Sequence, residues 1–241
     1  MVAGMDKPLG IKAYGHIPHL PNSRMGPSDH QCHDGQARIC CQKTRDKHDN
    51  IIVTEKLDGS NCAVCKLDGN IIPLTRTGYV AWTSPYEQHH FFAVWVQRNE
   101  DRFSRLLEDG ERVIGEWLAQ AHGTVYELQH EPFVPFDLMM KQDRETWNIF
   151  CQRVWNCDFT TPYLLQEGPA LAVEDAIKYM GTYGHHGATE QVEGAVWRVE
   201  RVDQKRGLHF DFMCKYVRPD KVDGKYLPDV SGNDPIWHWR P

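Results

Sequence analysis

Short apolar runs broken by glycine and aspartate turns organise this chain. Ile51 to Val53, Cys62 to Leu67 and Ile71 to Thr75 have the length of strands, and Asp68-Gly69 between the last two reads as the tight turn of a β-hairpin. Arg112 to Leu118 and Phe133 to Met140 also read as strands. Near the end, Leu208, Phe210, Phe212 and Cys214 alternate with His209, Asp211, Met213 and Lys215, so Lys215 is expected to face away from the first set. Glu193 to Glu200 alternates similarly and would pair with that strand across Asp203 to Gly207.

Helical spacing appears between these runs. Ser84-Pro85 is a start signal for a long segment reaching about Leu107, with Phe91, Trp95, Phe103 and Leu107 available to a core and Gly110 as the stop. Thr146 to Trp155 predicts a second helix. Leu171 to Met180 predicts a third, with Val173, Ala176, Ile177 and Met180 on one side and Gly181 ending it. The class is therefore α+β with antiparallel strands. Pro18, Pro21 and Pro27 make the stretch before Ile51 a loop-rich arm, so the division is residues 1–50 as an arm packed on the core and 51–241 as the main domain.

Composition narrows the picture. The chain has 241 residues, 41% hydrophobic and 25% charged, enough to bury one proper core. No apolar stretch nears the roughly 20 residues that span a bilayer, and the start lacks a signal core, which leads us to expect a cytoplasmic, monomeric protein with no membrane partner. Eight irregularly spaced cysteines read as reduced thiols. Cys62 and Cys65 form a CxxC, but on one strand they point to opposite faces and could not share an ion. His30, Cys32, His33, Cys40 and Cys41 cluster without paired spacing, and His89-His90 and His185-His186 read as exposed or structural. Net charge is −6, yet Arg198 to Lys225 holds eight Lys or Arg against five acids, a local basic face suited to nucleic-acid ends.

The candidate chemistry lies in Thr54-Glu55-Lys56-Leu57-Asp58-Gly59-Ser60-Asn61, where a lysine ends a strand and a glycine lets phosphates approach the backbone. The same letters recur in Lys66-Leu67-Asp68-Gly69-Asn70, which reads as a hairpin only. Partners separate the two copies. Arg76, Glu116, Phe136, Glu193 and Lys215 follow Lys56 in order, each in or beside a strand-like run.

Together with Lys56 and Asn61, this order resembles the covalent nucleotidyltransferase superfamily, and within it the phage-type ATP-dependent RNA ligases, over about Ile51 to Arg218. Asn61, five positions after the lysine, and Arg76, twenty after it, are similar to the RNA ligase pattern. DNA ligases and capping enzymes need a further OB-fold domain, for which the 26 residues after Lys215 are too few. The resemblance implies an antiparallel-sheet adenylyltransferase domain with flanking helices and no C-terminal OB domain. It implies that Lys56 attacks the α-phosphorus of ATP to give lysyl-AMP, that AMP passes to a 5′-phosphate RNA end, and that a 3′-hydroxyl seals it. Alternatives are a nick-sealing DNA ligase and a non-sealing module that binds nucleotide or nucleic-acid ends.

Roles implied by the resemblance follow. Glu116, Glu193 and Asp58 would hold Mg²⁺ or Mn²⁺, Lys215 would neutralise the α-phosphate, and Arg76 would contact the ribose or the 5′-phosphate end. Phe136 would stack on adenine, Glu55 would accept a hydrogen bond from the adenine amino group, and Asn61 would shape the phosphate and metal site. The family's last motif commonly carries two lysines flanking one residue, and Met213 stands where the first belongs; Arg218 and Arg24 are the cations expected to compensate.

Overall fold

The computed structural model describes residues 7–241; the first six residues of the arm lie outside them. In chain order the elements are α1 (Asp34–Cys41), β1 (Asp49–Lys56), β2 (Ser60–Leu67), β3 (Asn70–Thr75), a 3₁₀ turn (Ala81–Thr83), α2 (Glu87–Arg98), α3 (Glu100–Leu106), β4 (Glu111–Trp117), β5 (Phe133–Met140), β6 (Asp143–Arg144), α4 (Trp147–Trp155), β7 (Leu164–Gly168), α5 (Val173–Met180), β8 (Gly194–Asp203), β9 (Gly207–Val217) and α6 (Pro228–Ser231). They form two antiparallel sheets, β7-β1-β8-β9 and β3-β2-β4-β5-β6. The architecture is the α+β, antiparallel class expected from the sequence.

The apolar run in β1 is continuous because the strand is covered on both faces. Ile51 and Val53 pack with Trp197, Val199 and Cys214 under α1 and α5, while Ile52 joins the aromatic core of Phe92, Trp95, Phe103, Trp117 and Phe133. Cys62 belongs to that aromatic core and Cys65 to a third cluster with Tyr14, Ala63 and Ile114, so the CxxC does point to opposite faces. Asp68 and Gly69 take positive φ, 49° and 77°, the signature of the two-residue hairpin turn.

Two local expectations need correction. The long helix starts at Glu87, not Ser84, whose hydroxyl instead accepts the Tyr86 N–H; it also breaks at Asn99, whose side-chain amide donates to the Trp95 carbonyl at 2.8 Å and competes with the helical ladder. The alternation in β9 is interrupted by a bulge at Asp211, which is left unpaired where Val199 and Glu200 of β8 face Phe212 and Phe210. Phe212 and Cys214 keep to the α1/α5 side, whereas Phe210 lies 5.0 Å from the guanidinium carbons of both Arg144 and Arg198.

The arm pairs with the free edge of β9. Lys215 donates its N–H to the Pro18 carbonyl at 2.9 Å and accepts from Leu20 at 2.8 Å, and Arg24 donates to the Val217 carbonyl at 2.9 Å. No helix among the described residues is long and apolar enough to cross a membrane.

Candidate active site

Lys56 ends β1 in the first sheet and Ser60 opens β2 in the second, so Leu57-Asp58-Gly59 is the corner where the sheets meet. Register then determines the neighbours. Lys56 lies opposite Gly194, which places Glu193 beside it; Asn61 lies opposite Glu116 across β2 and β4. Gly59 is required at the corner, since a Cβ there would sit 2.5 Å from the Trp117 carbonyl oxygen. Its N–H donates to Glu116 Oε1 at 3.0 Å.

A cavity of about 960 Å³ opens over this corner. Lys56, Asn61, Arg76, Glu116, Glu193 and Lys215 line it, together with Ile52, Phe136, Val196, Met213 and Tyr14. Phe136, half-buried and edge-on to Tyr14 at 5.3 Å, gives it an aromatic wall. The cavity thus combines charged side chains with apolar and aromatic ones, dimensions and chemistry suited to a nucleotide.

Lys56 Nζ contacts Glu193 Oε2 at 2.6 Å. Burial works to lower its pKa, but the negative charges of Glu193 and Glu116 outweigh that and hold the ammonium above its ordinary value. Burial pushes Glu116 up to about 7, against the pull of Lys56, and burial also raises Glu193 despite the same lysine. Two carboxylates, Glu193 buried and Glu116 half-buried, therefore act on one ammonium. Lys215 is lowered by burial and by repulsion from Lys56, with Asp29 and Glu193 acting the other way.

Several expected residues are engaged by partners the sequence did not suggest. Asp58 lines the cavity, and its carboxylate accepts from Gly123 N–H at 2.9 Å and pairs with the buried Lys221, itself donating to Thr124 Oγ1 at 2.7 Å. Glu55 accepts the His185 N–H at 2.8 Å, and His185 stacks on Tyr163 with centroids 3.5 Å apart. Arg76 donates to the Gly15 carbonyl at 3.2 Å. Neither cation expected to compensate for Met213 does so: Arg218 binds the Val192 and Gln191 carbonyls and Asp220, and Arg24 pairs with Asp223. The basic face of 198–225 dissolves likewise. Arg198, Arg201, Arg206, Lys215, Arg218, Lys221 and Lys225 all have carboxylate partners. Lys66, in the second motif copy, donates to the Ser104 and Leu107 carbonyls at 3.0 and 3.1 Å and closes the end of α3.

Other site residues escaped sequence reasoning. Arg198 lines the cavity, held by Glu200 at 2.7 Å and Asp137 at 3.2 Å, while the Tyr14 hydroxyl donates to Asp137 at 3.1 Å. His89 bridges Ser60 at 2.8 Å and Ser84 at 2.5 Å, and burial lowers its pKa to about 4. The alternation of β8 did carry a signal for Arg198, which shares a face with Val196; Tyr14 and His89 had none.

Among the described residues no group of three or more His, Cys, Asp or Glu is arranged to hold an ion. Glu116 and Glu193 nevertheless fit Mg²⁺ or Mn²⁺, because magnesium is commonly held by one or two carboxylates plus phosphate oxygens and water, and these two have only the Lys56 ammonium to balance them.

A family model described as RNA ligase matches residues 49–217, well over half of the chain. Solved structures similar in fold include the RNA ligase of Naegleria gruberi as a lysine-to-alanine mutant with ATP and Mn, 19% identical over 71% of this chain and 50% of that one, TM-score 0.52. The same ligase with PPi is 20% identical over 78% and 53%, TM-score 0.53. An archaeal ATP-dependent RNA ligase is 19% identical over 85% and 48%, TM-score 0.52. The chain spans about half the length of these proteins. No curated protein matches it.

Proposed function

Because the chain belongs to the RNA ligase family, we propose that it is an ATP-dependent RNA ligase that carries AMP on Lys56. The observation that carries this reading is the Lys56–Glu193 contact of 2.6 Å in the wall of a nucleotide-sized cavity. A free lysine, with a pKa of about 10.4, is a poor nucleophile at neutral pH. Here Glu193 is placed to pass the Lys56 proton on to water, which leaves its carboxylate ionised. The neutral amine then attacks the α-phosphorus of ATP, the bond to the bridging oxygen breaks, and pyrophosphate leaves.

Phe136 supports stacking of the base, and Lys215 faces the developing charge on the α-phosphate. A divalent ion held by Glu116 and Glu193 would supply the positive charge this site lacks once Lys56 is neutral. In the second step AMP moves from Lys56 to a 5′-phosphate RNA end, and in the third a 3′-hydroxyl displaces AMP, with Arg76 and Asn61 nearest the strand ends. Asp58 acts by holding the corner through Lys221 rather than as an ion ligand.

Incubation with α-labelled ATP and Mg²⁺, followed by 5′-phosphorylated RNA or DNA, tests the proposal. Label should appear on the protein, vanish in Lys56→Ala and pass to RNA. Absence of label, or label surviving Lys56→Ala, refutes it; transfer to DNA alone points to the nick-sealing reading.

A further inference from the structure

Two lysines line the cavity, and each has a carboxylate of its own. Lys56 has Glu193 at 2.6 Å; Lys215 has Asp29, whose Oδ1 is 3.6 Å from Nζ. Asp29 comes from the arm, distant in sequence from the strands that carry the other site residues. It is fixed there by several contacts. Its Oδ2 accepts the Gly26 N–H at 3.0 Å and lies 3.2 Å from His19 Nε2, while His16 Nδ1 stands 3.7 Å from Oδ1. The buried His19 is anchored in turn by Ser23 Oγ at 2.6 Å, and the same stretch pairs with β9 on both sides of the Lys215 peptide.

Met213 makes this arrangement matter. It lines the cavity on the same face of β9 as Lys215, so that strand presents one ammonium to the phosphates rather than two. A single half-buried ammonium beside another cation needs a fixed countercharge, since otherwise repulsion from Lys56 drives it aside or sets it competing for Glu193. We propose that Asp29 is a positioning residue that holds Lys215 toward the α-phosphate of bound ATP. The proposal rests on the nucleotide reading of the cavity. It adds the arm to the machinery, at a position outside the motifs that carry the family resemblance.

The test measures equilibrium binding of ATP and of adenosine to the full chain in excess EDTA, where transfer chemistry is blocked. Asp29→Asn retains the acceptor for Gly26 and removes the charge. It should weaken ATP by roughly three- to fivefold, the scale of a partly exposed ion pair, and leave adenosine unchanged. Asp29→Glu should restore ATP binding to within about twofold of wild type, as a charge effect requires. Unchanged or tighter ATP binding in Asp29→Asn overturns the proposal. Equal weakening of ATP and adenosine does so too, because it signals collapse of the whole pocket, and so does an Asp29→Glu variant no better than Asp29→Asn. A wild-type chain that binds neither compound refutes the nucleotide reading itself, a separate outcome.

Discussion

Replacing Glu55 with glutamine should remove a pH dependence of stability that the native fold carries between pH 4.5 and about 7. Glu55 is 1% exposed, its Oε2 accepts the His185 N–H, and its Oε1 has no hydrogen-bond partner. Burial pushes its pKa from 4.5 to about 7, with the His185 bond opposing. The native state thus keeps a proton that the unfolded chain releases above pH 4.5. The stabilisation is complete below 4.5 and is lost as pH rises through 7. At 1.36 kcal/mol per pH unit, that loss is about 3 kcal/mol.

An amide cannot ionise, so Glu55→Gln should escape the loss while spending about 1 to 2 kcal/mol on an ill-partnered amide group. Urea unfolding in EDTA at a series of pH values should show the variant weaker than wild type near pH 4.5 and stronger by about 1 to 2 kcal/mol at pH 8. A gap between the two that stays constant with pH would refute the reasoning. Labelling with AMP should survive the change within a few-fold, because the carboxylate is engaged by His185. Loss of labelling would instead restore Glu55 to the adenine contact expected from the sequence.

Glu193→Ala and Lys215→Ala should each abolish AMP labelling without changing the circular dichroism spectrum; near-normal labelling by either would remove its assigned role. Lys221→Met should cost about 3 to 5 kcal/mol in urea unfolding, because it strands the Asp58 carboxylate at the corner, and Asp58→Asn in the same chain should recover part of it. Lys66→Met should label normally and lose only about 1 kcal/mol, the value of hydrogen bonds at the end of α3; a labelling defect would mean the second motif copy is more than a hairpin.

The strands were readable because their causes are local. Asp68-Gly69 demands a tight turn, and the bounds of β5 coincide with the apolar run Phe133 to Met140. Lys56, Glu116, Glu193 and Lys215 were recoverable because strand register brings residues of fixed order together. Asp29, Tyr14 and Lys221 were not, since their partners lie far along the chain and pair through loops without period. The expectation of a basic face failed for the same reason: a charge count in one segment is blind to Asp46, Asp49, Asp58 and Glu190, which neutralise it from elsewhere. Asn99 broke a helix through a side-chain bond that apolar spacing does not register.

The corner at Leu57-Asp58-Gly59 joins two sheets of unequal cargo. Lys56 and Lys215 belong to the first, with Glu193 immediately before β8, whereas Glu116 and Phe136 belong to the second and Arg76 follows its strand β3. A change in the angle between the sheets would therefore leave the Lys56–Glu193 contact untouched and alter the distance from Lys56 to Phe136. The charge pair and the aromatic wall are set by separate sheets.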